Sequence, residues 1–311
     1  MGRFLHSLHG SAVGLWTLYK RETGRIFTRW ISSKPGESST KRRFRGRMAL
    51  LMRIGSMIAF PFVGAVLSRV IVGDSIGADA EDMFMAMLIL ITVVGFGACG
   101  LTTSSIFDDW PLLGRESLWG VSATEHILSK FLAAAGPSIG MGVLAAFLFA
   151  WDLNVEHGTV LPHFFIFCLV LFPLYTLSCT AMGLMVSSIV RGTASTIYVL
   201  MGVLSSLVLL SDVSFNLEHR FSEGPSRAIL WISYLLPGRY IGGAWAANMK
   251  IEEFYENGWG LLLDNDRGWT WTPVAENIYL SFVCLVIVTI GFLVLAIRSV
   301  RGRAWKIVLH Q

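Results

Sequence analysis

The chain has 311 residues, 54% of them hydrophobic and 15% charged, and a formal net charge of +4. A soluble domain carries about 25% charged residues, and the apolar excess here collects into blocks that reach the roughly 20 helical residues needed to cross a bilayer. A soluble protein with several buried helices is excluded, because the amphipathic helices needed to cover them are missing, and the positive balance follows from membrane topology rather than from nucleic-acid binding.

In chain order, residues 1–47 form an N-terminal region with eleven Lys/Arg against two acids. Apolar and aromatic residues recur in it at helical spacing (Leu5, Leu8, Val13, Trp16, Tyr19, Ile26, Phe27, Trp30) with basic residues between them. That pattern predicts an amphipathic helix in the membrane interface, or one docked against a partner. Residues 35–43, PGESSTKRR, read as a polar linker. The twin arginine at 42–43 lies too far from the start, and before too long a span, for an export signal. Residues 48–311 are then predicted to form a membrane domain of six spans, at about 48–72, 83–107, 131–150, 163–187, 194–212 and 276–297. The expected fold class is therefore an all-α, multi-pass integral membrane protein.

Charge sets the expected orientation. The N-terminal region, the 108–130 connection and the tail with Arg298, Arg301, Arg303 and Lys306 belong in the cytoplasm. Segments 73–82 and 151–163 carry acids and no Lys/Arg, which places them outside, with both termini in. Residues 213–275 form a long outer segment rich in tryptophan (Trp231, Trp245, Trp259, Trp269, Trp271). Its stretch 227–249 is too apolar for an aqueous loop. With Pro237 and Gly242–Gly243 as breaks, it is expected to enter the outer leaflet and return, covered by protein. The four cysteines, Cys99, Cys168, Cys179 and Cys284, fall in the spans, so no disulfide framework is expected. Arg53 and Arg69 sit near the ends of span one and either snorkel to the headgroups or find a polar partner in the bundle.

The stretch GRESLWGVSATEHILSK, 114–130, breaks the apolar pattern between spans two and three. Ser122 and Glu125 have the spacing of a capping box, which starts the third span. Pro111–Trp119 precede it as a short separate helix carrying Arg115 and Glu116, with Trp119 as an interface anchor. By pattern alone Glu125 and Lys130 are a cap and a snorkelling side chain, and Asp108, Asp109 and His126 are solvated loop residues. No G-x-x-x-x-G-K-[ST] phosphate loop, no H-E-x-x-H and no C-x-x-C occurs, so no catalytic residue and no metal site is proposed in the chain.

This stretch is similar to the connecting-helix region of the ABC transporter G subfamily, in which an Arg-Glu pair and a glycine precede the third span. CTAMGLMVSSIVRGTAS (179–195), WISYLLPGRYIGGAWAANM (231–249) and WTLYKRETGRIFTR (16–29) resemble that family's fourth span and inner turn, outer segment and interfacial helix. The resemblance implies the transmembrane subunit of a type-2 ABC permease, of the type V exporter kind, without a fused ATPase domain. ATP and Mg would be bound by a separate ATPase subunit on the cytoplasmic face, with a second permease subunit, identical or homologous, completing the path. The implied location is the plasma or inner membrane among its lipids, with no nucleic-acid partner.

The resemblance also assigns roles. Arg115, Glu116, Trp119 and Glu125 would couple the permease to the ATPase. Phe96, Thr102, Thr103, Met201, Leu204 and Ser205 would line a substrate cavity, and Leu209 and Leu210 would close its outer end. Such a lining suits a hydrophobic or amphipathic molecule, a lipid or drug-like compound. A glycan exporter would need aromatic and basic residues along a wider channel, and a membrane enzyme or signalling subunit would need convergent acids, histidines or thiols.

Overall fold

The computed structural model describes residues 14–24, 39–73, 75–76, 80–103, 105–106, 109, 113, 121–155, 159–190, 199, 202, 231–249 and 275–309. The described chain is helical apart from two strands of two residues each. Helix α1 covers 14–24. It is followed by α2 (Ser39–Val72), β1 (Ser75–Ile76), α3 (Ala80–Gly100), α4 (Ala123–Ala150), β2 (Asn154–Val155), α5 (Phe164–Ile189), α6 (Pro237–Asn248) and α7 (Ala275–Leu309).

Four stretches of the described chain are long and apolar enough to cross a membrane: Ile54–Val72, Ala123–Ala150, Phe164–Ile189 and Ile278–Gly302. Met85–Gly100 is a shorter apolar stretch in α3, whose 21 residues rise about 31 Å at 1.5 Å each. The expected fifth span lies outside the described residues except for positions 199 and 202. Two expected boundaries move. Helix α2 begins at Ser39, so part of the expected linker is helix, and α7 runs on to Leu309 through the basic tail.

Helix α5 is the centre of the bundle: 61% of its apolar window is buried, against 22% for α2 and 28% for α7. It packs on α3, α4, α6 and α7, while α2 packs on α3 and α4. The outward faces of α2 and α7 carry Ile58, Phe62, Val66, Ile287, Ile290 and Leu295, all exposed. Apolar side chains that face outward are what a lipid solvent selects. Lipid cannot drive helices together by the hydrophobic effect, so close packing and interhelical hydrogen bonds must hold the bundle.

Both are present around α5. A Cβ on Gly142 would meet the Pro173 backbone at 2.6 Å, and one on Gly183 would collide with the Cys99 carbonyl and with Thr102 Oγ1 at 2.5 Å. Gly95 leaves room for the Tyr175 hydroxyl, which donates to the Ile91 carbonyl at 2.7 Å. Thr102 Oγ1 donates to Thr180 O (2.7 Å), Thr176 Oγ1 to Ser138 O (2.9 Å) and Ser178 Oγ to Leu285 O (3.0 Å). One turn of α5, residues 176–180, thus ties three neighbouring helices.

At the far end from α1, β1 and β2 pair in parallel, Ser75 with Asn154 and Ile76 with Val155. Arg69 reaches the end of α4, donating to Phe149 O (3.5 Å) and Asp152 O (3.4 Å). The guanidinium is a cation at a helix C-terminus, where the dipole favours it. The side chain of Arg53 lies outside the described residues.

Helix α6 is buried along its whole length. Pro237 does not interrupt it but occupies its first turn, where its missing N–H costs nothing. Gly242 and Gly243 also sit inside the helix rather than breaking it, and both are buried. Ser233 Oγ receives a 2.6 Å hydrogen bond from Arg239, whose guanidinium also stacks 4.0 Å from the Tyr234 ring centroid.

Candidate functional site: a buried ion cluster beside the third span

Helix α4 opens with the expected capping box. Glu125 N donates to Ser122 Oγ (3.2 Å) and Ser122 N to Glu125 Oε2 (2.9 Å). Two N–H groups left open by the first turn are thereby satisfied. Glu125 also adjoins α1, since a Cβ on Gly14 would lie 3.7 Å from its Oε1.

Two turns into α4 stands Lys130, and it does not snorkel. It is 3% exposed, and its ammonium makes three hydrogen bonds: to Asp109 Oδ2 at 2.5 Å, Ser105 O at 3.0 Å and Glu22 Oε2 at 3.1 Å. An ammonium has three donors, and each is used. Asp109 is not a solvated loop residue either: like Glu22 it is buried. Arg21 completes the set on the outer side of Glu22, with Nη2 at 3.0 Å and Nε at 3.2 Å from Oε1. Among the described residues, two cations here meet two carboxylates. A paired, fully bonded cluster is tolerable in a low-dielectric place, whereas the same groups alone would not be.

The cluster joins three parts of the chain that are far apart in sequence. Glu22 comes from α1, Ser105 and Asp109 from the turns after α3, and Lys130 from α4. The turns are themselves fixed to α5, because Ile106 N donates to Ser187 Oγ at 2.9 Å. Further along, Ser299 Oγ of α7 donates to Ser188 O at 3.0 Å. Contacts therefore run from α1 through charged groups to the turns after α3 and to α4, and through hydroxyl bonds on to α5 and α7. By its charge pattern this end of the bundle is the expected cytoplasmic one.

Of the residues expected to couple, Glu125 closes the cap of α4 and adjoins Gly14 of α1. Arg115, Glu116 and Trp119 lie outside the described residues. Of the expected cavity lining, Phe96 is partly buried with its edge toward Phe60 (ring centroids 5.4 Å apart). Thr102 and Thr103 are buried and committed to carbonyls, Thr103 Oγ1 to Cys99 O at 2.6 Å. Met201, Leu204, Ser205, Leu209 and Leu210 lie outside the described residues.

Reading the sequence missed Glu22, Asp109 and Lys130 as a unit. The only signal was a lysine eight residues after the Ser122 cap, in a helix with no other Lys or Arg. Gly136-Pro137-Ser138-Ile139-Gly140 has the G-x-S-x-G spacing of a hydrolase nucleophile. Ser138 is mid-helix and fully buried, and its Oγ accepts from Thr180 Oγ1 at 2.8 Å. It sits on no strand-to-helix turn, so it is a packing residue.

Four helices of bilayer-spanning length and a buried ion cluster beside the start of α4 describe a multi-pass membrane bundle. The family model for the ABC-2 type transporter matches residues 37–249, more than half of the chain, and the chain belongs to that family. It is a multi-pass permease subunit of an ABC transporter, a class that normally works with an ATPase partner. No curated protein matches the chain significantly.

Proposed function

We propose that the chain is the permease of an ATP-driven exporter of hydrophobic or amphipathic molecules. It would have six spans with both termini in the cytoplasm, pair with a second permease subunit, and be powered by a separate ATPase subunit that binds ATP and Mg. The observation that carries this reading is the Lys130 cluster, which gives a push on the cytoplasmic face a route into the bundle. Arg115, Glu116 and Trp119 would receive that push, and Glu125 and Lys130 would pass it on. The substrate path would run along Phe96, Met201, Leu204 and Ser205, near Thr102 and Thr103, with Leu209 and Leu210 closing its outer end. The interior supports an apolar cargo: around α5, polarity comes from hydroxyls already bonded to carbonyls. Residues 227–249 would be the part of the outer segment that enters the leaflet, with α6 as its buried helix.

Two experiments test this. The tagged chain, purified from its native membrane in mild detergent, should bring down an ABC ATPase and a second permease subunit. Recovery as a lone monomer from cells that transport normally would contradict it. Sidedness follows from cysteine labelling of intact cells in a Cys284→Ala background. Ser75→Cys and Asn257→Cys should react and Ser38→Cys should not; the reverse pattern would invert the topology.

A further inference from the structure

Helix α1 has two faces. Leu18 (7% exposed) and Glu22 (4%) point into the protein, four residues apart. Trp16, Thr17, Lys20 and Gly24 point away from it. On that outer face Trp16 is 56% exposed and stacks on Tyr19, with ring centroids 5.4 Å apart. The Lys20 ammonium lies 5.1 Å from the Trp16 ring centroid. Arg21 stands at the border, its side chain 32% exposed, with its guanidinium on Glu22. An exposed tryptophan is costly in water but favoured at the level of lipid headgroups, where an amphipathic ring is half solvated. A cation held over that ring meets the phosphate layer at the same depth.

We propose that α1 is a docking surface for anionic lipid headgroups, with Lys20 and Arg21 taking the negative charge and Trp16 and Tyr19 seated among the headgroups. Charge complementarity and the height of the helix, level with the first turns of α4, select lipid as the occupant. The site also connects inward. Arg21 and Lys130 share Glu22, one on each oxygen. A headgroup that draws Arg21 outward weakens the contact on one Glu22 oxygen while Lys130 keeps the other. Leaflet charge is thereby sensed at the buried cluster, so lipid composition sets how firmly α1 is held. This regulation rests on the coupling role proposed above, whereas the docking itself needs only an interfacial helix.

Hydrogen–deuterium exchange of the full chain in lipid nanodiscs tests it. Both leaflets of a disc have the same composition, so an error in sidedness does not affect the result. A basic side chain at an anionic surface is worth about fivefold in binding, so two give roughly twentyfold. Amides of 17–24 should exchange more slowly by about that factor when phosphatidylglycerol is added to phosphatidylcholine. Lys20→Gln should remove about fivefold of the response and Lys20→Gln/Arg21→Gln nearly all of it. Lys20 is exposed, so its variant isolates the surface charge from folding. Equal exchange in the two lipids, or a full response in the double variant, would overturn the proposal. Protection by inorganic phosphate in neutral discs to the same extent would show a free-anion site and would overturn the lipid assignment too.

Discussion

The middle of the bundle and its α1 end are held together by different chemistry. Around α5, glycines bring backbones into contact and hydroxyls bond to carbonyls of the next helix. These contacts are short, neutral and sterically tight. Beside α1, a lysine is wrapped by two carboxylates and a carbonyl. The first kind of contact resists any sliding of helices. The second is strong only while all members stay together, and one of its members, Glu22, comes from α1, outside the candidate spans. The neutral contacts tie α3, α4, α5 and α7 to one another, whereas the charged ones tie α1 to the turns after α3 and to the start of α4.

The largest expected effect comes from breaking the charged region alone. Lys130→Met removes the ammonium that Glu22 and Asp109 share in the interior, which costs about 3–5 kcal/mol. Thermal unfolding in detergent should show that loss. The triple variant Lys130→Met/Glu22→Gln/Asp109→Asn removes every charge Lys130 holds and should recover most of it. A single variant that is as stable as the parent would mean that the cluster is not desolvated.

Gly142→Ala attacks the neutral region. Its Cβ meets the Pro173 backbone at 2.6 Å, and backbone cannot turn aside. The expected cost is about 1–3 kcal/mol from overpacking. Gly140→Ala, on the same helix with open space at its Cβ, is the control. It should be neutral or stabilising by up to about 1 kcal/mol, because alanine is the better helix former. Equal losses at both positions would point to a general intolerance of α4 rather than to its seam with α5.

The smallest effect is expected from one hydroxyl. Thr180→Val removes the bond to Ser138 Oγ but keeps the carbonyl that Thr102 uses. Interhelical hydrogen bonds within a membrane are worth about 0.6 kcal/mol on average. A loss above about 2 kcal/mol would make this region depend on individual polar bonds and would weaken its contrast with the ion cluster.

Much of the fold was legible because long apolar stretches have few other uses: α2, α4, α5 and α7 each overlap an expected span. The capping box was legible because Ser122 and Glu125 are local, three residues apart. The boundaries at Ser39 and Leu309 were not, since a basic helix and a basic linker share a composition. Pro237 and the glycine pair were taken as breaks because propensity is a local rule. In α6 it yields to packing, where proline fits the first turn and glycine fits a crowded interior. Lys130 was misread for the opposite reason. A lysine near the end of a span usually reaches for water, and only its neighbours in space, 108 and 21 residues away in sequence, keep it inside.

The most direct test of the central claim is transport per ATP hydrolysed by the Glu22→Gln permease, reconstituted with its ATPase subunit. This change keeps the bond of Lys130 to Asp109 and removes only the charge that holds α1. A hydrogen bond to a charged group is worth about 1.5–3 kcal/mol, enough to shift a two-state equilibrium about tenfold or more. The account predicts an intact, assembled complex that still hydrolyses ATP but moves severalfold less substrate for each ATP. An unchanged transport-to-hydrolysis ratio would contradict it and leave the cluster as a structural clamp alone.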